Sequence, residues 1–93
     1  MADKIRAHAI ITGIVQGVFF RMETQRAAEQ HAVAGWVRNK RDGSVEAIFE
    51  GDRNDVEAVL NWCRQGPARA VVHAVVVEWQ DSPGEYGGFD VTY

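Results

Sequence analysis

The stretch Ala34-Gly35-Trp36-Val37-Arg38-Asn39-Lys40-Arg41-Asp42-Gly43-Ser44-Val45-Glu46-Ala47-Ile48-Phe49-Glu50 lies in the middle of a 93-residue chain and reads as two short strands around a turn. Ala34 to Asn39 and Ser44 to Glu50 are the strands, and Lys40-Arg41-Asp42-Gly43 is the turn. Asp-Gly is a strong hairpin signal, because glycine takes the positive φ that such turns need. Val45, Ala47 and Phe49 point one way in the second strand, and Glu46 and Glu50 the other. A hairpin placed centrally restricts what can flank it.

On its N-terminal side, Phe20 to about Ala32 is a run of helix formers. Phe20, Thr24, Ala27 or Ala28, and His31 share one face, and the small alanines predict close packing of helix on sheet. Before it, Gly13 to Val18 is a loop. Ile5, Ala7, Ala9 and Ile11 alternate with Lys4, Arg6, His8 and Thr12, broken only by Ile10, which predicts a half-buried strand over Lys4 to Thr12.

On the C-terminal side, Asp52 reads as a helix N-cap, with Asp55 favourable in the first turn. Val56, Val59, Leu60 and Cys63 follow at helical spacing, and Gly66-Pro67 ends the segment. Ala70 to Trp79 is a valine-rich strand and Asp81 to Gly88 a loop. Phe89, Val91 and Tyr93 alternate with Asp90 and Thr92 in a last short strand. The order is β-α-β-β-α-β plus that strand. It predicts an α+β, ferredoxin-like split βαβ fold, an antiparallel sheet with both helices on one face. Residues 1–93 are expected to form a single domain.

Ten basic against 13 acidic residues give a net charge of -3, so no global field draws nucleic acid or an anionic membrane. One cysteine, Cys63, permits no internal disulfide. No signal-like run follows Met1, and no apolar stretch is long enough to span a membrane. The expectation is a cytoplasmic, monomeric protein without nucleic-acid or membrane partners. A chain that starts at Met1 and ends within its last strand is expected to be free-standing.

The chemistry lies in Gly13-Ile14-Val15-Gln16-Gly17-Val18-Phe19-Phe20-Arg21, which leaves a strand and enters a helix. The first turn of a helix has unpaired N–H groups and partial positive charge. A glycine-containing loop before it lets further N–H groups converge, which makes an anion cradle. Arg21 adds a planar fork suited to phosphate oxygens. A tight strand-to-helix turn with a surface arginine is the alternative, and spacing alone leaves it open.

The chain resembles the acylphosphatases at this loop. Val15-Gln16-Gly17-Val18-Phe19-Phe20-Arg21 matches a family pattern of Val-Gln-Gly-Val, a variable residue, an aromatic and an arginine. Gly35-Trp36-Val37-Arg38-Asn39, followed by Gly43, Val45 and Gly51, matches a second family signature. The resemblance extends over essentially the whole chain, Phe89 and Tyr93 included. It implies hydrolysis of acyl phosphates to carboxylate and inorganic phosphate. It also implies that Val15, Gln16, Gly17, Val18, Phe19, Phe20 and Arg21 hold the phosphoryl group, with Asn39 orienting the attacking water. No metal, no cofactor and no covalent phosphoenzyme is implied; the substrate phosphate is the proton acceptor. One departure is Ile14, where the family often carries arginine or lysine, so affinity for anions is expected to be weaker.

Two rival functions share this fold. One is a non-catalytic module that binds phosphate or carbamoyl phosphate. The other, an RNA binder, needs exposed aromatics amid basic residues on the central strands, which Arg6, His8 and Glu46 do not supply. His8, His31 and His73 lie on separate elements without metal-ligand spacing. Cys63 reads as core, and Trp36, Trp62 and Trp79 read as packing residues.

Overall fold

The computed structural model describes residues 4–81 and 84–93. Along the chain run β1 (Lys4–Ile14), α1 (Phe20–Gln30), β2 (Ala34–Asn39), β3 (Val45–Asp52), α2 (Arg53–Gln65), β4 (Val71–Gln80) and β5 (Phe89–Val91). The sheet order is β4-β1-β3-β2-β5. β1 pairs antiparallel with both β3 and β4, and β2 pairs antiparallel with β3. β1 and β2 therefore run the same way with β3 between them, which is the expected split βαβ arrangement.

β5 adds a detail absent from the expectation: it pairs parallel to β2, so the five-stranded sheet is mixed. The reason is geometric. β4 ends where Gln80 sits beside Arg6, and Arg6 in turn lies opposite Glu50, next to the start of β2. A connection that stays at this end of the sheet must enter a strand running alongside β2.

Alternation sets the core. Ala7, Ala9 and Ile11 of β1, Val37 of β2 and Val45, Ala47 and Phe49 of β3 are buried against Phe20 and Ala28 of α1 and Val56, Val59, Leu60 and Cys63 of α2. Alanines at the centre of β1 and β3 let both helices approach one face closely. Gly35 cannot be replaced without distortion: its φ is 135°, and a Cβ there would lie 1.8 Å from the Ile48 carbonyl oxygen. Gly13 sits at a bulge between β1 and β4, with φ 127° and the Val71 carbonyl oxygen 2.1 Å from an added Cβ.

Some local expectations are corrected. Asp52 occupies the N-cap position of α2 but makes no capping hydrogen bond; its carboxylate pairs with Lys4 at 3.0 Å. His31 is the exposed C-cap of α1, because that helix ends one turn after its last buried residues. Of the tryptophans, Trp62 packs on Phe20 at 5.5 Å between ring centres. Trp36 and Trp79 lie under the guanidinium groups of Arg38 and Arg53.

The helix-free face carries paired charges. Arg6 donates twice to Glu50, at 2.8 and 2.6 Å, and also to Glu85. His8 lies 2.7 Å from one oxygen of Glu46, and Arg38 donates to the other. Burial pushes the Glu46 carboxyl up, but the bonds to His8 and Arg38 outweigh it and hold that group below the ordinary range.

Candidate active site

The end of β1 delivers Val15 into the core and then releases the chain into the loop. Gly17 (φ 74°) and Phe19 (φ 64°, ψ 21°) are both left-handed, and together they turn the backbone into α1. Such a conformation costs a non-glycine residue about 1–3 kcal/mol and clusters at functional sites. Phe19 is the N-cap of α1, with no side-chain hydrogen bond at the cap. The first helical bond there runs from the Glu23 N–H to the Phe19 carbonyl, 3.0 Å. The N–H groups of Phe20, Arg21 and Met22 therefore remain as the free donors of a helix start, with the positive end of the dipole behind them.

Arg21 projects from this turn. Its Nη1 donates to the Thr92 carbonyl at 3.1 Å, and its guanidinium lies 4.7 Å from the Tyr93 ring centre. Among the described residues no carboxylate pairs with it. Asn39 comes from the other side, as the last residue of β2, opposite Val45 of β3. Its Oδ1 is buried and has no hydrogen-bond partner in the protein. An unsatisfied buried acceptor costs about 1–3 kcal/mol, so a donor arriving there is bound strongly.

Arg21 and Asn39 share one cavity of about 280 Å³, lined also by Val15, Gly17, Phe19, Phe20, Met22, Val91 and Tyr93. Five of the seven loop residues singled out in the sequence thus border it. The other two lie elsewhere. Gln16 turns its amide to the hairpin, where Nε2 donates to the carbonyls of Lys40 (2.7 Å) and Ser44 (2.9 Å). Val18 lines an adjoining groove. Gln16 therefore ties the loop to the residue that follows Asn39. Met22, Val91 and Tyr93 were not foreseen as walls; Met22 carried the only local signal, one helical step past Arg21.

Ile14 is exposed on β1 and is not part of the cavity wall, so any effect of its missing charge is indirect. Cys63 is buried, and burial pushes its thiol up to about 12, which rules it out as a nucleophile at neutral pH. The cavity thus combines backbone donors, one uncompensated guanidinium and one buried amide oxygen. Such a set can bind a tetrahedral oxyanion and align a proton donor such as water beside it.

Comparison with known proteins agrees with this chemistry. The acylphosphatase family profile matches residues 7–91. An acylphosphatase of Pelotomaculum thermopropionicum is 51% identical over 91 residues, 98% of this chain and 99% of that one. One from Roseiflexus sp. is 47% identical over 93 residues, the full length of both. The crystal structure of acylphosphatase from Bacillus subtilis superposes with a TM-score of 0.92 at 31% identity, covering 96% of this chain and 99% of that chain.

Proposed function

The chain belongs to the acylphosphatase family, and from that premise we propose how it cleaves the anhydride between a carboxyl and a phosphoryl group. The phosphoryl oxygens sit among the N–H groups of the loop and first turn of α1, against the Arg21 guanidinium. Water donates one hydrogen bond to Asn39 Oδ1, which aims its lone pair at phosphorus. The water oxygen bonds to phosphorus as the bond from phosphorus to the carboxylate oxygen breaks. A phosphoryl oxygen takes the water's proton, and carboxylate and inorganic phosphate leave.

The observation that carries this reading is the unpartnered Oδ1 of Asn39, a residue that lines the same cavity as Arg21. A carboxylate is a good leaving group, so alignment and charge stabilisation suffice without a dedicated acid or base. Arg21 is held by a carbonyl and a ring rather than by a carboxylate, so its charge is available to the phosphoryl group. The Pelotomaculum and Roseiflexus acylphosphatases match over 99% and 100% of their own length, which favours an enzyme over a phosphate-binding module.

We take the protein to be a one-domain cytoplasmic monomer acting on small acyl phosphates, with neither nucleic acid nor membrane as partner. No helix among the described residues is long and apolar enough to cross a membrane. The direct test is release of phosphate from acetyl phosphate with and without chelator. Turnover unaffected by chelator is expected. Phosphate binding without any turnover would return the module reading.

A further inference from the structure

Sulfur is scarce in this chain and unevenly placed. Met1, Met22 and Cys63 are its sulfur-bearing residues. Met1 lies outside the described residues. Cys63 is fully buried in the core, and burial keeps its thiol protonated at neutral pH, the form that resists oxidation. Met22 is 54% exposed. It sits on α1 away from the face that buries Phe20, Thr24, Ala27 and Ala28, and it takes no part in the core cluster. It does line the cavity that Arg21 and Asn39 share. Among the described residues, the thiol is thus closed off from solvent, whereas the thioether stands open in the wall of the site.

A peroxide oxidises an exposed thioether to the sulfoxide. A sulfur lone pair attacks one peroxide oxygen, the S–O bond forms and the O–O bond breaks. Sulfur loses two electrons, and the other oxygen leaves with the proton as water. A flexible apolar side chain thereby becomes a polar one that carries an acceptor oxygen. In this wall the new acceptor shares a cavity with the Arg21 guanidinium, which no carboxylate among the described residues pairs. The sulfoxide oxygen and a phosphoryl oxygen then compete for the same donors. We propose that Met22 is a peroxide-sensitive modification site, and that its sulfoxide weakens the hold of the cavity on phosphoryl groups. The proposal rests on the anion site assigned above. Because Met22 stands outside the core cluster, oxidation acts on the site and not on the fold.

The test treats the protein with hydrogen peroxide. Peptide mass follows the oxygen added at Met22 and at Met1, calorimetry follows the affinity for inorganic phosphate, and acetyl phosphate reports turnover. Once Met22 is oxidised, the Kd of phosphate and the KM for acetyl phosphate should each rise about 3- to 10-fold, the range of one net hydrogen bond. The unfolding temperature should change little. The loss should keep pace with sulfoxide at Met22 and not at Met1, and a methionine sulfoxide reductase should reverse it. In Met22→Leu each constant is compared with its own untreated value, and peroxide should leave it within about twofold. Unchanged phosphate affinity in a parent fully oxidised at Met22 overturns the proposal. So does an equal loss in Met22→Leu, or a Met22 that resists peroxide while Met1 is oxidised. Should the variant fail to fold, the pace of loss against the two methionines of the parent decides. Absence of turnover by the untreated protein overturns the assigned reaction, and the phosphate titration still decides the modification site.

Discussion

Arg6 and Arg21 flank the two ends of β1, and their surroundings treat them in opposite ways. Arg6 is saturated: Glu50 and Glu85 accept its hydrogen bonds, and the Tyr86 ring lies 5.5 Å from its guanidinium carbon. Arg21 has one carbonyl and one ring, and no carboxylate among the described residues. The same side chain thus closes a structural cluster at one end and, at the other, keeps a charge that no carboxylate among the described residues answers, where we propose the anion binds. The charge left uncompensated marks function more clearly than the presence of an arginine does.

Exchanging the two outcomes by mutation should break the molecule in different ways. Arg21→Ala should lower kcat/KM for acetyl phosphate by about 10²–10³ and abolish competitive inhibition by phosphate, with little change in unfolding temperature. Arg6→Ala should do the reverse. Glu50 is only 4% exposed, and removing its partner costs about 3–5 kcal/mol of stability, read by urea unfolding, while the folded protein keeps its turnover. Gln16→Leu lies between these cases. It strips one donor each from the Lys40 and Ser44 carbonyls, which keep their backbone partners in the turn, and frees the hairpin beside Asn39, so about 0.5–1.5 kcal/mol of stability should be lost. Because Asn39 is then less well placed, kcat should fall more than KM rises.

The smallest effect concerns pH. The folded-state Glu46 carboxyl lies below its ordinary value, so its contribution is complete above the unfolded value and disappears as pH falls through the folded one. Glu46→Gln should therefore flatten the acid side of the stability profile and leave the neutral region nearly level. An acid limb identical to the parent's would contradict the His8–Glu46–Arg38 assignment.

Much of this was legible in the chain because it is local or periodic. The alternation in Lys4 to Thr12, the Asp42-Gly43 turn and the spacing of Val56, Val59, Leu60 and Cys63 each depend on near neighbours. Arg21 and Asn39 were legible through motif resemblance, and folding brings them into one cavity. What was not legible depends on contacts distant in sequence. The parallel pairing of β5, the burial of Glu50 beneath Arg6 and Tyr86, and Tyr93 against Arg21 all follow from where the residues after β4 travel. Gln16 is the clearest case: its position in the loop motif suggested phosphate, yet its side chain spans to the hairpin.

Asn39 carries the central claim, so the most direct measurement is Asn39→Ala with turnover and phosphate affinity measured on the same preparation. The account predicts that kcat for acetyl phosphate falls by about 10²–10³ while the inhibition constant of inorganic phosphate stays within about twofold. Near-normal kcat, or loss of phosphate binding equal to the loss of turnover, would contradict a water-orienting role for Asn39.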